Sequence, residues 1–169
     1  STPANQNLTN STLWCFNNTQ SDTDGDVLSR NFTWFKGGAE QSGASNSIVP
    51  TLTTKSDAWI CQVNLTDGFG GVNKTNSTTL TILNAVPFIN TTVPNLIKEV
   101  GIAWSSSSIN CTDVDGDTIT YGINESRISV NTATGVLSDT PAEADIGVMS
   151  INASCTDGTA NNASQVFTY

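Results

Sequence analysis

The sequence predicts an all-β protein made of two tandem sandwiches, and three observations carry that prediction. The chain repeats itself: "SDTDGD" at 21–26 is echoed by "TDVDGD" at 112–117, and "LTDG" at 65–68 by "CTDG" at 155–158. Asp22 to Asp113 is 91 residues and Asp67 to Asp157 is 90, so the repeating unit is about ninety residues long. Four cysteines lie far apart, which suits disulfides across a sandwich better than a zinc knuckle. Finally, 19 Ser and 25 Thr accompany only 12% charged residues, and apolar residues alternate in short runs with no helical period. The units are expected at 1–85 and 86–169.

Three pairings of Cys15, Cys61, Cys111 and Cys155 are open until the repeat is considered. Cys15 precedes its acidic turn by seven residues and Cys111 by two; Cys61 precedes its Thr-Asp-Gly by six and Cys155 by two. Both cysteines of a unit have slid the same way. In an immunoglobulin-like sandwich, strands B and F run in one direction in facing sheets. A bridge between them can therefore move along the sandwich only if both ends slide together. This pairs Cys15 with Cys61 and Cys111 with Cys155, one inter-sheet disulfide per unit. Closing a loop of about 45 residues is worth about 4 kcal/mol in the chain-entropy model.

The elements follow in order. "TLWCF" (12–16) is strand B of the first unit. "SRNFTWF" (29–35) is strand C, ended by Gly37–Gly38. "DAWICQVNL" (57–65) is strand F and "TTLTIL" (78–83) strand G. Cysteine, tryptophan and cysteine at 15, 34 and 61 stand in the order of an immunoglobulin core. "NAVPFINTTVP" (84–94) is the linker and the start of the second strand A. "SSINC" (107–111), "TITYGI" (118–123) and "VMSINASC" (148–155) then act as B, C and F, with one short turn in "PAEADIG" (141–147).

Twelve Asn-X-Ser/Thr sequons are present: Asn7, Asn10, Asn17, Asn31, Asn64, Asn73, Asn76, Asn90, Asn110, Asn124, Asn152 and Asn162. Composition alone would give about five. Asn31, Asn64, Asn110 and Asn152 stand at odd offsets from the core residues Trp34, Cys61, Cys111 and Cys155, so alternation turns all four outward. Asn17, two from Cys15, breaks the rule where strand B ends. N-glycans are therefore the expected covalent partners. The same parity turns Trp14 and Phe16 outward, either as a contact or glycan-stacking face or as a pair covered by the N-terminal segment.

"DVDGDTITYGI", "ISVNTATGVLSDTPAEADIG" and "INASCTDGTANNASQVFTY" resemble the dystroglycan-type cadherin-like module. Thr134, Gly135, Leu137, Thr140 and Pro141 match its Thr-Gly-x-Leu-x-Gly-Thr-Pro signature, and Asp139 replaces the second glycine. The resemblance covers about 87–169. The first unit is similar to immunoglobulin/PKD-like modules of prokaryotic surface proteins. What the resemblance implies is a non-enzymatic spacer, adhesin or fibre component outside the cell, and, with so many sequons, an archaeal envelope ahead of eukaryotic secretion.

Charge and chemistry agree. A net charge of −9 argues against nucleic acid. No apolar run approaches the roughly 18 residues of a membrane span, and no signal peptide is present, so any such peptide is expected to have been removed. The absence of histidine removes the commonest general base and zinc ligand. No catalytic residues are assigned. Both terminal units look short by a few residues against the repeat, which suggests a piece of a longer array, end strands completed by a neighbour through strand addition, or simply shorter outer strands. The expectation is a structural subunit or repeat of a glycosylated filament or surface layer, assembling through sandwich ends and added strands with copies of itself or neighbouring modules. The alternative is a carbohydrate-binding or adhesin module using Trp14 or Trp104. Last, the acidic turns are B–C loops and each Thr-Asp-Gly an F–G loop at the same end of its unit. Asp22, Asp24, Asp26 and Asp67 would gather there in unit one, and Asp113, Asp115, Asp117 and Asp157 in unit two, beside the linker. Calcium, which takes six to eight oxygens, is the cofactor such clusters suggest. The competing explanation is Asp-Gly turn chemistry without metal.

Overall fold

The computed structural model describes residues 7–17, 20–43, 45–159 and 162–169. The chain divides into two compact units at Ala85/Val86. Each is an immunoglobulin-like β-sandwich with one inter-sheet disulfide.

In the first unit, β1 (Leu13–Trp14) pairs with β4 (Ser47–Ile48). The larger sheet runs in the order β3 (Ala39–Gln41), β2 (Ser29–Lys36), β5 (Ala58–Thr66), β6 (Val72–Asn76), with β7 (Leu80–Thr81) also on β5. Gly37 and Gly38 take φ of 55° and 87°, the positive pair that a two-residue hairpin between β2 and β3 requires. Leu13, Cys15, Trp34, Ile48, Trp59, Cys61 and Ile82 form the core, with Trp34 edge-on to Trp59 at 6.2 Å. The Cys15–Cys61 bridge joins the two sheets across a Cα separation of 6.2 Å.

Two expectations need correction here. Strand B was expected over 12–16, but its ladder holds only two pairs. Its partner β4 runs into a 3-10 turn at Pro50–Leu52, which ends the ladder on the Leu13 side; on the other side one further bond, from Cys15 N–H to the Asn46 carbonyl (2.8 Å), follows the two pairs. Strand G was expected over 78–83, but most of it is β6, whose five residues are all exposed and so carry no alternation. β6 and β7 are joined at a bulge. There the Cys61 N–H donates to Ser77 Oγ (3.0 Å), and the Ser77 N–H donates to the Cys61 carbonyl (2.7 Å).

In the second unit, β11 (Thr120–Ile123), β14 (Ser150–Thr156) and β15 (Asn162–Thr168) form one sheet. β12 (Ser129–Val130), β13 (Val136–Asp139) and β9 (Trp104–Ser108) lie in the facing layer, together with the pair β10 (Asn110–Thr112) and β8 (Phe88–Thr91). Strand B, expected as 107–111, is thus two pieces that change partners at Ile109, whose N–H donates to the Gly135 carbonyl at 2.9 Å. Ile109, Cys111, Leu137, Ile151, Ala153, Cys155 and Phe167 are core residues. The short turn expected in 141–147 is a 3-10 turn at Glu143–Asp145.

The last strand is fully paired. All seven residues of β15 pair with β14, and the ladder continues through reciprocal Met149–Tyr169 hydrogen bonds. The segment after β8 bonds to the C-terminal end of its other edge. Leu96 N–H donates to the Thr168 carbonyl, Asn95 Oδ1 accepts from Thr168 N–H, and Gln165 Oε1 accepts from Val93 N–H. In the first unit, Leu8 bridges Leu83 in parallel; residues 1–6, where the shortness of the first strand would be judged, lie outside the described residues.

Candidate functional sites

The duplicated motifs fold into four equivalent turns. Asp22, Asp67, Asp113 and Asp157 each accept, through Oδ1, the backbone N–H two residues on: Asp24 (2.8 Å), Phe69 (2.7 Å), Asp115 (2.8 Å) and Thr159 (2.8 Å). Three of them also accept the N–H four residues on, from Asp26, Gly71 and Asp117. Gly25, Gly68, Gly116 and Gly158 all take φ between 75° and 88°. This is Asx-turn chemistry with glycine at the left-handed position. The bond from Phe69 N–H lowers the Asp67 carboxyl from its ordinary value, with burial opposing.

Ser29 faces Thr66, and Thr120 faces Thr156, so the B–C and F–G turns leave the same end of each unit. The carboxylates do not gather in fours, however. Among the described residues, the acids close enough to share an ion are Asp113, Asp115 and Asp117, with ligand oxygens within 4.8 Å of one another. Asp157 and Asp67 fold back onto their own F–G turns, and Asp22, Asp24 and Asp26 form no such group. Asp113 Oδ2 is buried without a hydrogen-bond partner. A cation would satisfy that oxygen, so the residues of unit two fit calcium in part, as three of the six to eight oxygens it takes.

Nine sequon asparagines are exposed: Asn10, Asn31, Asn73, Asn76, Asn90, Asn110, Asn124, Asn152 and Asn162. Asn7, Asn17 and Asn64 are half-buried. The structure adds a relation that sequence reasoning missed, because it depends on register. Asn31 stands directly opposite Asn64. Asn90 Nδ2 donates to Asn110 Oδ1 at 3.1 Å. Asn124 Oδ1 accepts the Asn152 N–H at 2.7 Å. Half the sequons thus form cross-strand pairs.

Trp14 and Phe16 are 44% and 64% exposed, with rings stacked at 6.4 Å and 21°. Trp104 is otherwise placed. Its indole N–H donates to Tyr169 Oη (2.9 Å), whose O–H donates to Asp139 Oδ2 (2.8 Å), and Lys98 Nζ lies 5.0 Å from its ring centre. Burial pushes the Tyr169 hydroxyl upward. Each unit also carries a groove. In unit one it holds about 490 Å³ and is bordered by Phe16, the Cys15–Cys61 bridge, Val63, Leu65, Asn73 and Thr75. In unit two it holds about 480 Å³, bordered by Leu96, Ile97, Val100, Ile146, Val148 and Met149.

No family model matches the sequence, and no curated protein does. Among solved structures, the chain is similar to Sidekick-1 immunoglobulin domains 1–4 (11% identity, TM-score 0.42, covering 82% of this chain and 39% of that one). It is also similar to hemolin, an insect immune protein (11%, 0.39, 85% and 42%), and to an endo-fucoidan hydrolase of glycoside hydrolase family 107 (16%, 0.40, 94% and 25%). The chain spans less than half the length of each. These likenesses concern architecture and bring no activity or ligand to this chain.

Proposed function

We propose that this chain is a glycosylated structural module of an extracellular filament or surface layer. One observation carries the reading: nine of twelve sequon asparagines are exposed on two disulfide-pinned sandwiches. Disulfides belong to oxidising compartments, and N-glycans to surfaces outside the cytosol. Contact with further copies runs through sandwich ends, the Trp14 face and added strands, the Thr168 end of β15 excepted, where Asn95 and Leu96 take the backbone. Calcium bound at Asp113, Asp115 and Asp117 would neutralise their repulsion and stiffen the B–C turn.

A second reading, a carbohydrate-binding or adhesin module, draws on the stacked pair Trp14–Phe16, since exposed aromatic rings suit sugar faces. Sedimentation and electron microscopy of the glycosylated chain separate the two. The first reading expects oligomers or filaments that weaken in Trp14→Ser. A monomer at high concentration that retains oligosaccharides on a glycan array would establish the second.

A further inference from the structure

We propose that the groove of unit one seats the chain's own N-glycan, attached at Asn73 and packed against Phe16. This rests on the reading that the sequons are occupied, and it names where one of the sugars goes.

The groove exists because the β1–β4 ladder stops after two pairs, leaving part of the β5–β6 surface without a facing strand. Val63, Leu65 and the disulfide supply apolar lining. Phe16 supplies an aromatic wall that is 64% exposed, and among the described residues its ring partner is the stacked Trp14. Asn73 and the Thr75 of its sequon both border the groove, and among the described residues no hydrogen bond engages the Asn73 side chain. Nothing charged lines the groove, although the chain carries 15 acids and 6 bases. Such a site suits a neutral ligand with one apolar face and a polar edge, which describes a pyranose ring. The volume falls in the range of small-molecule sites, and polar side chains such as Gln20, Ser21, Asn76 and Ser77 share the lining with the apolar ones.

A free saccharide has the same chemistry. The attachment point decides between them. A sugar linked to Asn73 Nδ2 is already at the groove, and tethering turns weak stacking into an intramolecular contact at high effective concentration. Trp14 does not line the groove and stays available for contacts between molecules.

The test uses the whole chain secreted from yeast, with glycans trimmed enzymatically to a single N-acetylglucosamine and occupancy read by glycopeptide mass spectrometry. Thr75→Ala removes the sugar at Asn73 alone. With Asn73 occupied, Phe16→Ser should lower the melting temperature by about 5 °C, the size of shift expected for one good contact in a domain of this length. In the Thr75→Ala background the same substitution should leave the melt nearly unchanged. Nuclear Overhauser contacts between the sugar protons and the Phe16 ring should appear in the occupied protein. Equal Phe16→Ser shifts in both backgrounds would overturn the inference. So would an empty Asn73 with other sequons occupied, or binding of free chitobiose by unglycosylated protein without any such coupling. If every sequon is empty, the glycoprotein reading falls as well.

Discussion

Gly135 takes φ of 71°, and a Cβ built there would lie 2.3 Å from the Ile109 carbonyl oxygen and 3.1 Å from the Tyr121 ring. Its own carbonyl accepts the Ile109 N–H at the point where strand B changes partners, and its N–H donates to the Asn131 carbonyl (2.8 Å). The Thr-Gly-x-Leu signature therefore has a local cause: the glycine lets β13 approach strand B, and Leu137, two residues on, is fully buried. Gly135→Ala combines left-handed strain with a backbone clash and should cost about 3 kcal/mol. Gly158→Ala, with φ of 88° and nothing within 4 Å of its Cβ, meets strain alone and should cost about 1 kcal/mol. Urea midpoints of the two variants check the difference; equal losses would remove the close approach as the reason for Gly135.

At the scale of elements, edges and turns decide what each unit can join. At the C-terminal end of β15 both backbone groups of Thr168 are taken by Asn95 and Leu96 of its own unit, which opposes strand addition at that end. β6 carries Asn73 and Asn76, and sugars on them would obstruct a strand approaching that edge. Of the four Asx turns, the one before β11 brings three carboxylates together and leaves Asp113 Oδ2 without a partner. Calcium should therefore raise the melting transition of unit two and leave that of unit one unmoved. At ten times the dissociation constant the gain is about 1.4 kcal/mol. Calorimetry with calcium and with chelator measures it, and Asp113→Asn should abolish the response. Identical scans would leave all four motifs as turn chemistry alone.

For the whole molecule, the sequons set the mass. A chain from a glycosylating secretory host should weigh well above the bare 17.8 kDa and return close to it after enzymatic deglycosylation. Where Asn31 faces Asn64, and where Asn90 bonds Asn110, two sugars would start from neighbouring strands about 5 Å apart. Incomplete occupancy should therefore concentrate at the paired sequons, not at Asn10 or Asn162. Glycopeptide mapping that finds both members of every pair fully occupied would refute this crowding argument.

Much of the fold was legible because it depends on alternation and repetition, which are local. Trp34, Cys61, Cys111 and Cys155 face inward as their spacing predicts, and Asn31, Asn110 and Asn152 face outward. Spacing also led to the two disulfides, since a bridge constrains both of its strands at once. What escaped depends on neighbours brought close by tertiary pairing. β6 has no buried residue to mark it, so only its pairing with β5 makes it a strand. Strand B is short because its partner β4, far away in sequence, offers only two residues to pair with. Acids that a repeat places at one end of a unit need not share an ion. Asp67 and Asp157 are committed to their own backbones, and among the described residues only the packing around the B–C turn of unit two leaves a carboxylate oxygen buried and unpaired. The sequence by itself determined which side chains each strand turns inward; tertiary structure alone decided which of the outward ones meet, because register between strands is a property of the pair.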